Sequence, residues 1–287
     1  MERELWPPLY HTIREVAKDF HQKYVSYQPW VLVAVFLWAA LHDRPVSWAC
    51  QRRHWSTTKL HPARLPSHST LSRRIDGLVV GAFLRAMEQR LRDRQQVGLL
   101  ALLDGKPLPV SGVSKDRDAK PGRGAGGKGK GYKLHTLWAN RALPEAWEVT
   151  PLNEAETTVA QRLLEQASGA GYVLGDGNYD ASPVFDAAAA SGRQLVTPMP
   201  NPNVGKGHHY QSPHRKRCID LVRGEFGRSL YELRRRIEQL YGNAVSFGGG
   251  LGPPPAWVRG QERVRTWVWA KLLINAIRIL MKQGLTS

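Results

Sequence analysis

The chain has 287 residues, and its content of 42% hydrophobic and 23% charged residues excludes disordered, collagen-like and fibrous proteins. With 41 Lys and Arg against 24 Asp and Glu, the formal charge of +17 points to a polyanionic partner, because neutralising phosphates releases condensed counterions. The longest apolar run, residues 30–41, is too short for a membrane span of about 20 residues, and no signal peptide is recognisable. We therefore expect a cytoplasmic protein with no membrane partner, and the two distant cysteines, Cys50 and Cys218, fit a reducing compartment.

Residues 1–95 are predicted to form an all-α domain. Residues 31–41 are apolar on every side, which is typical of a buried helix. Later in the domain, Gly77 and Gly81 are expected to weaken or divide a helix. A first helix is indicated by apolar residues that share one face at helical spacing: Ile13, Val16, Ala17, Phe20 and Tyr24.

Two short helices in this domain fit a helix-turn-helix. Residues 46–55 would form the first, and Ser67 or Ser69 would cap the second. The start of the second helix carries hydroxyls together with Arg73 and Arg74, as a recognition helix in the DNA major groove requires. The connecting loop is longer than the usual turn, so a solvated helix start is the alternative.

After residue 96 the hydrophobic period changes from that of helices to that of strands. Three strands in succession should form an antiparallel part of a sheet, and later strands alternate with helices, as in an α/β fold. A turn is expected at Asn140-Arg141. Residues 96–287 are thus predicted to be one α/β domain with a mixed five-stranded sheet flanked by helices. The predicted strands cover residues 97–103, 131–139, 142–150, 172–174 and 195–196.

Helices are predicted between and after these strands. Asn153 can cap the first of them, with Glu156 three residues later as its capping-box partner. Ser182-Pro183 opens the second, in the favoured order of cap and then proline. A further helix is expected over residues 228–241, and a mostly buried helix should end the domain.

Two aspartates are expected where apolar strands end. Asp104 follows the first strand of the sheet and Asp176 follows the fourth. Taken alone, each fits an ordinary turn residue. If the two strands are neighbours, however, the carboxylates come within metal-bridging reach, and like charges that close need a cation or a proton between them.

A third acid is expected on the helix over residues 228–241. Tyr231, Arg234 and Glu238 are spaced by three and four residues and share one face, although a solvated salt-bridge face has the same pattern. Two Asp and one Glu around two Mg²⁺ ions suit phosphodiester chemistry, in which one ion activates the attacking oxygen and the other stabilises the leaving oxygen. The competing candidates for the third acid are Glu225, Glu232 and Asp220.

These motifs together resemble the DDE transposases of bacterial insertion sequences, over about residues 65–280. Asp104, in Asp-Gly-Lys-Pro-Leu-Pro-Val, resembles the early Asp of that family. Asp176, followed by Tyr179-Asp180, is similar to the second Asp. Tyr231, Arg234 and Glu238 resemble a Tyr-x-x-Arg-x-x-x-Glu-x-x-x-x-x-x-Lys signature, whose Lys falls on Val245 in this chain. Lys133 and His135, in Gly-Tyr-Lys-Leu-His, resemble the second strand of the family.

The resemblance implies an RNase H-like catalytic domain that cleaves and joins DNA at transposon ends. It implies that Asp104, Asp176 and Glu238 hold two Mg²⁺ or Mn²⁺ ions, while Tyr231 and Arg234 orient the Glu or touch DNA. It also implies a homodimer on paired double-stranded DNA ends, in the cytoplasm at the nucleoid.

Two basic stretches are expected to contact DNA. Residues 115–133 hold seven Lys or Arg among six glycines, and the alternative is a solvated hairpin. Residues 206–236 carry nine Lys or Arg against three acids. The predicted DNA contacts in these stretches are Lys115, Arg117, Lys120, Arg123, Lys128, Lys130, Lys133, Arg215, Lys216 and Arg217.

The sequence favours a metal-dependent transposase and leaves other functions open. An RNase H-like nuclease or resolvase would use the same three acids but only hydrolyse DNA. A catalytically inactive DNA-binding derivative of a transposase is the second alternative, to which Val245 lends weight. An RNA-binding module lacks the aromatic-rich strand pattern of such proteins.

Overall fold

The computed structural model describes residues 2–96, 98–124, 126–139, 142–167, 169–198 and 211–285. The chain forms two compact units, one of residues 1–95 with 243–287 and one of residues 96–242. This division differs from the predicted domains in its C-terminal part, because residues 243–287 pack with the N-terminal helices. The turn predicted at Asn140-Arg141 lies outside the described residues, as do Val97 and Lys206.

The helical unit is built around one fully apolar helix. Its helices are α1 (Glu2–Val16), α2 (Pro29–Leu41), α3 (Val46–Ala49), α4 (His68–Arg74), α5 (Leu78–Asp93) and, from the C-terminal segment, α11 (Gln261–Lys282). Helix α2 is buried from Val31 to Leu41, as predicted, and it packs against α1, α5 and α11. None of the described helices has the length and apolar character needed to cross a membrane.

Local signals in the sequence fix some ends of these helices and not others. Ser67 caps α4 by accepting a hydrogen bond from the backbone N of Thr70, and Gly77 is the N-cap of α5, so the predicted helix is divided as expected. The predicted extension of α1 to Tyr24 is wrong. The chain leaves α1 after Val16 through i→i+3 backbone bonds, and Tyr24 is fully exposed with a positive φ of 58°.

A buried lysine connects three parts of the helical unit. Lys271 of α11 is 1% exposed, and its Nζ donates to Asp43 Oδ1 at 2.5 Å, to the Ala40 carbonyl at 2.6 Å and to the Gly249 carbonyl at 3.0 Å. A buried ammonium is tolerated only when its protons are used in this way. Lys271 therefore ties the C-terminal segment to the end of α2.

The second unit contains a mixed sheet that is five strands wide. Strands β3 and β1 are antiparallel, β1, β5 and β6 are parallel, and β2 and β4 pair with successive parts of the remaining edge of β3. The five predicted strands and the neighbouring positions of the first and fourth are confirmed, and β2 is an addition. The strands are β1 (Leu100–Pro109), β2 (Lys120–Gly124), β3 (Gly127–Trp138), β4 (Ala146–Pro151), β5 (Gly171–Leu174) and β6 (Arg193–Val196).

Strand β1 continues past Asp104, so the prediction that it ends there is wrong. Its antiparallel ladder with β3 extends from Leu102 to Pro109. The backbone N of Val110 donates to Lys130 O, and hydrogen-bonded positions alternate along an antiparallel pair. Pro107 therefore falls on a position that faces away from β3, where its missing N–H costs no ladder bond.

Helices cover the sheet and follow it. They are α6 (Glu156–Glu165), α7 (Ser182–Ala190), α8 (Pro213–Arg223), α9 (Glu225–Glu232) and α10 (Arg236–Val245). The predicted capping box is wrong, because α6 is preceded by Ala155 without a side-chain cap and the carboxylate of Glu156 has other partners. The predicted single helix over residues 228–241 is α9 and α10 joined by a 3₁₀ turn at Leu233–Arg235.

Candidate active site

The two aspartates lie on adjacent parallel strands at the same height. The register pairs Leu102 of β1 with Leu174 of β5, and each Asp lies two residues beyond its leucine. Past this point β5 ends while β1 continues, so Asp104 is within a strand and Asp176 begins a 3₁₀ turn. The structure thus brings Asp104 and Asp176 together. They lie just beyond the end of β5, where β1 continues with no strand of the described residues on its β5 side.

Backbone and side-chain hydrogen bonds hold both carboxylates. The backbone N of Gly105 donates to Asp104 Oδ1 at 2.8 Å. The backbone N of Asn178 donates to Asp176 Oδ1 at 2.9 Å, and its Nδ2 donates to Oδ2 at 3.4 Å. Beneath Asp104, the buried hydroxyl of Tyr241 donates to the Asp104 carbonyl at 3.1 Å. Both acids are therefore held by local contacts that leave part of each carboxylate facing solvent.

Arg234 is the cation that faces both acids. Its Nη2 lies 3.9 Å from Asp104 Oδ1 and 3.9 Å from Asp176 Oδ2. The distance between these two oxygens therefore cannot exceed the sum of the two contacts. These contacts are too long for hydrogen bonds. Arg234 Nε is buried and has no hydrogen-bond partner among the described residues. The guanidinium therefore offsets the two negative charges and keeps donor capacity for a further acceptor.

The electrostatics of the pair favour a bound cation or a proton. Burial raises the pKa of Asp104 to about 6, against the opposing effects of the Gly105 hydrogen bond and Arg234, while the charges of Asp176 and Glu156 raise it further. Burial also raises the pKa of Asp176 above its usual range. Since each group is harder to ionise than a free carboxyl, neutralising the pair would relieve a cost to the folded protein.

Three aromatic hydroxyls surround the pair. Burial raises the pKa of Tyr231. The charge of Arg234 opposes this rise in pKa, and the charges of Asp176 and Asp104 add to it. Burial also raises the pKa of Tyr179, whose buried hydroxyl has no hydrogen-bond partner among the described residues. The third hydroxyl, that of Tyr241, is fully buried under Asp104. The rings of these three side chains help to exclude water from the carboxylates, which strengthens the charge interactions there.

A third carboxylate, Glu156, lies beside the aspartates. Its Oε1 forms an ion pair with the buried Lys133 of β3, and its Oε2 accepts a hydrogen bond from Asn178 Nδ2 at 3.3 Å. Lys133 was predicted to contact DNA, but its side chain is only 10% exposed and belongs to this cluster. The neighbouring His135 is buried, which lowers its pKa to about 3 and keeps the ring neutral.

Glu238, the predicted third acid, is an exposed residue of this unit. It is exposed in the first turn of α10, one turn before Tyr241. The 3₁₀ turn at Leu233–Arg235 separates α9 from α10, so Tyr231, Arg234 and Glu238 do not share one continuous helical face. The structure brings Tyr231 and Arg234 to the aspartates, and it leaves the Glu238 carboxylate in solvent.

The donor set suits a hard divalent cation in part. Two carboxylates that approach one cation in a partly buried site supply the oxygen ligands that Mg²⁺ and Mn²⁺ prefer. Within the described residues, however, no three or more His, Cys, Asp or Glu side chains come close enough together to hold a metal ion. Asp104 and Asp176 thus fit such an ion, and a further ligand has to approach them.

The predicted DNA-contacting residues differ in exposure and in their partners, and Arg73 and Lys120 are exposed although they donate to the Ser69 and Arg117 carbonyls. Lys130 donates to the Ser114 carbonyl at 2.7 Å, Arg74 to the Tyr27 carbonyl at 3.1 Å. Arg215 forms a bidentate pair with Asp180 at 2.7 and 2.9 Å. The remainder are exposed: Arg73, Lys115, Arg117, Lys120, Arg123, Lys128, Lys216 and Arg217.

Sequence reasoning missed the residues that support the aspartates. In the sequence, Asn178 fits an ordinary turn residue and Glu156 fits a helix-cap residue, so neither suggests a role in the site. Only the fold brings the two residues together. A signal was available for Lys133, since a lysine in an apolar strand needs a buried counter-charge. No sequence pattern pointed to Tyr241, whose contact with Asp104 joins residues 137 positions apart.

Comparison with known proteins identifies a family for the sheet unit. The family described as "Transposase DDE domain" matches residues 96–273, which is more than half of the chain and includes every strand of the sheet. No curated protein matches the chain. The mixed sheet with flanking helices confirms the predicted fold class, as does the helical region before it. The chain belongs to the transposase DDE domain family.

Proposed function

We propose that the protein is a metal-dependent transposase that cleaves double-stranded DNA at the ends of an insertion sequence and joins the freed ends to target DNA. The observation that carries this proposal is the convergence of Asp104 and Asp176 on Arg234 in a family whose members are transposases. The cleavage would be hydrolysis of a phosphodiester by water, and the joining would be attack by the freed 3′-hydroxyl on a target phosphodiester.

The side chains divide the work as follows. Asp104 and Asp176 would hold one or two Mg²⁺ or Mn²⁺ ions, which supply activation of the attacking oxygen and stabilisation of the leaving oxygen when bound. Arg234, whose side chain is 23% exposed, would bind a phosphate oxygen of the scissile strand through its guanidinium and offset the charge of the reacting phosphate. Tyr231 would position the same strand through its hydroxyl.

Glu238 would supply the third carboxylate. It precedes Tyr241 by three residues, and residues at that spacing are neighbours on a helix surface. Tyr241 touches Asp104, so a modest shift of α10 on DNA binding would carry Glu238 towards the pair. The competing acids are Glu232, which ends α9, together with Glu225 and Asp220.

The test of this function is a cleavage and strand-transfer assay. The substrate is a plasmid that carries the DNA flanking the coding frame on both sides, incubated with protein and Mg²⁺ or Mn²⁺. We expect nicks at discrete positions and joined products, both lost in Asp104→Asn and Asp176→Asn. Cleavage without joining would mean a nuclease or resolvase. Full activity of either Asn variant would refute the metal-dependent mechanism.

The assignment of the third acid is tested by a matched pair of variants. Glu238→Gln should bind DNA and fold normally but lose cleavage in Mg²⁺, whereas Glu232→Gln should cleave normally. Both residues are exposed in the same pair of helices, so general effects on folding are equal. The reverse result would reassign the third ligand to Glu232.

The β2–β3 hairpin is the DNA-binding surface that the sheet unit offers. Residues that face each other across the ladder share one face, and Arg123 is opposite Lys128. Gly122 lies on the other face, where a Cβ would come within 2.4 Å of the Leu152 carbonyl. Gly122 therefore lets the hairpin approach the rest of the sheet unit, while Arg123 and Lys128 are exposed on the opposite face.

A salt titration tests this surface. Each Lys or Arg that contacts phosphate adds about 0.9 to the slope of log K against log salt, so neutralising four should reduce the slope by up to about 3–4 units. An unchanged slope would mean that the hairpin does not touch DNA. The four substitutions to alanine are at Lys120, Arg123, Lys128 and Lys130.

Further DNA contacts are proposed outside the hairpin. Lys115 and Arg117 precede it and are exposed, as are Lys216 and Arg217 of α8. In the helical unit, Arg73 and Arg74 of α4 follow the Ser67 cap and would read or position DNA as a helix-turn-helix does. We also propose a homodimer on paired ends, as is common in the family, acting in the cytoplasm at the nucleoid.

One observation favours a second function. Val245 occupies the position of the signature's Lys, and the Glu238 carboxylate is exposed to solvent. A catalytically inactive DNA-binding derivative would have both features. In that case the wild-type protein would bind DNA in the plasmid assay and produce neither nicks nor joined products.

A further inference from the structure

Glu156 has a partner for each of its carboxylate oxygens. Lys133 Nζ pairs with Oε1, and Asn178 Nδ2 donates to Oε2 at 3.3 Å. The side chains of Glu156 and Lys133 are 20% and 10% exposed, so this ion pair is largely withdrawn from water. Among the described residues, no three His, Cys, Asp or Glu side chains lie close enough together to hold a metal ion, so Glu156 does not complete a ligand set with the two aspartates.

Asn178 connects Glu156 to Asp176. Its backbone N and its Nδ2 donate to the two oxygens of Asp176, at 2.9 and 3.4 Å. The side-chain amide has two protons, so Nδ2 can serve Asp176 and Glu156 at once. Glu156 therefore restrains the amide of Asn178, and the amide restrains the orientation of the Asp176 carboxylate.

The sequence makes room for this arrangement at Gly105. A Cβ at that position would lie 2.8 Å from Cδ of Lys133 and 3.5 Å from Oε1 of Glu156. Any larger residue next to Asp104 would require the stem of Lys133 to shift from the path by which it reaches Glu156. The Lys133–Glu156 pair, which supports Asp176, therefore lies against the backbone of Gly105, next to Asp104.

We propose that Glu156 is a positioning residue of the Asp104–Asp176 centre, which acts through Asn178 on Asp176 and is itself held by Lys133. This inference rests on the proposed function, because it takes the two aspartates as the ligands of a divalent cation. Groups that orient metal ligands typically contribute 10–100-fold to metal affinity. The inference separates Glu156 from the ligands themselves and explains why its carboxylate lies beside them.

The test measures Mn²⁺ binding to the full chain without DNA, by electron paramagnetic resonance of the free ion. Asp104→Asn should abolish binding. Glu156→Ala and Asn178→Ala should each weaken it about 10-fold. Because both substitutions remove the same Glu156–Asn178 contact, the double variant should bind Mn²⁺ at most about 2-fold more weakly than either single variant. Glu165→Ala, at the exposed end of the same helix α6, is the matched control and should bind as the wild type does.

Glu156→Gln tests the role without removing the side chain. Its amide oxygen can still accept the bond from Asn178, so the loss of affinity should be clearly smaller than in Glu156→Ala, and a circular dichroism melt checks that both variants fold. Equal losses in the Gln and Ala variants, or losses that multiply in the Glu156→Ala Asn178→Ala double variant, would overturn the inference and make Glu156 a ligand in its own right.

Failure of the proposed function gives a different result. If Asp104→Asn binds Mn²⁺ as the wild type does, then the aspartates are not the ion site and the function itself is wrong. If Asp104→Asn abolishes binding while Glu156→Ala leaves it unchanged, then only the positioning role is refuted.

Discussion

Replacing Asp104 with asparagine should make the metal-free protein more stable above pH 7. The substitution removes a charge that the folded protein holds at a cost, since burial raises the pKa of Asp104 from 3.8 to about 6. The side chain is only 22% exposed, so solvent screens this cost little. Asparagine keeps the oxygen that accepts the hydrogen bond from Gly105 N.

The size and sign of the effect follow from proton linkage. A carboxyl with a raised folded pKa stabilises the folded state below pH 4, and that contribution is lost as the pH rises through 6. Each pKa unit corresponds to about 1.4 kcal/mol, so the ionised group costs roughly 3 kcal/mol at pH 7 and above. This is an upper limit for the gain in Asp104→Asn, because Arg234 loses one of its two anionic neighbours in the variant.

Urea unfolding in EDTA measures the difference between wild type and variant. At pH 8 the variant should unfold at higher urea, and at pH 4.5 the difference should be much smaller. Asp220→Asn is the control, because Asp220 is 76% exposed and its replacement should change little at either pH. A variant that is less stable than the wild type at pH 8, or equally shifted at both pH values, would refute the reasoning.

Three further substitutions test the two units. Lys128→Glu should stabilise the β2–β3 hairpin by about 0.2–1 kcal/mol, because residue 128 faces Arg123 across the ladder. The same substitution should weaken binding to a short DNA duplex. If stability and DNA affinity both rise or both fall, the hairpin geometry is contradicted. Asp43→Asn removes the counter-charge of the buried Lys271 and should lower the free energy of unfolding by about 1–3 kcal/mol, as measured by urea titration. Gly171→Ala should cost at least about 2 kcal/mol, since the φ of Gly171 is +102° and a Cβ would meet a backbone carbonyl at 2.0 Å. Unchanged thermal stability would show that β5 can begin differently.

The core strands could be predicted because their residues carry a local signal. A short apolar run marks β5 and the first half of β1, and the aspartates after these runs pointed to neighbouring strand ends. Strand β2 carries no such signal, because Lys120–Gly124 contains no large apolar residue and forms only by pairing with β3. Hydrogen bonding to a distant partner, which no local pattern records, decides its structure.

The candidate site was predictable to the extent that it depends on strand ends. Asp104 and Asp176 follow from the sheet, whereas the helix over residues 228–241 was predicted as one regular helix. The 3₁₀ turn within it changes the phase of everything downstream, so the direction of Glu238 could not be read from spacing. Glu156 was assigned to a helix cap, since the sequence does not reveal that Lys133 and Asn178 compete for its carboxylate.

The discontinuous helical unit imposes an order on folding during synthesis. The ribosome makes α11, against which α2 packs, only after it has made residues 96–242. The intervening residues 96–242 contain a complete sheet and can reach their native pairing while α2 still lacks this partner. The contact between α2 and α11 therefore forms only after the sheet unit has been synthesised. Until α11 emerges, the nascent protein carries an apolar helix that is prone to aggregation and in need of chaperone cover.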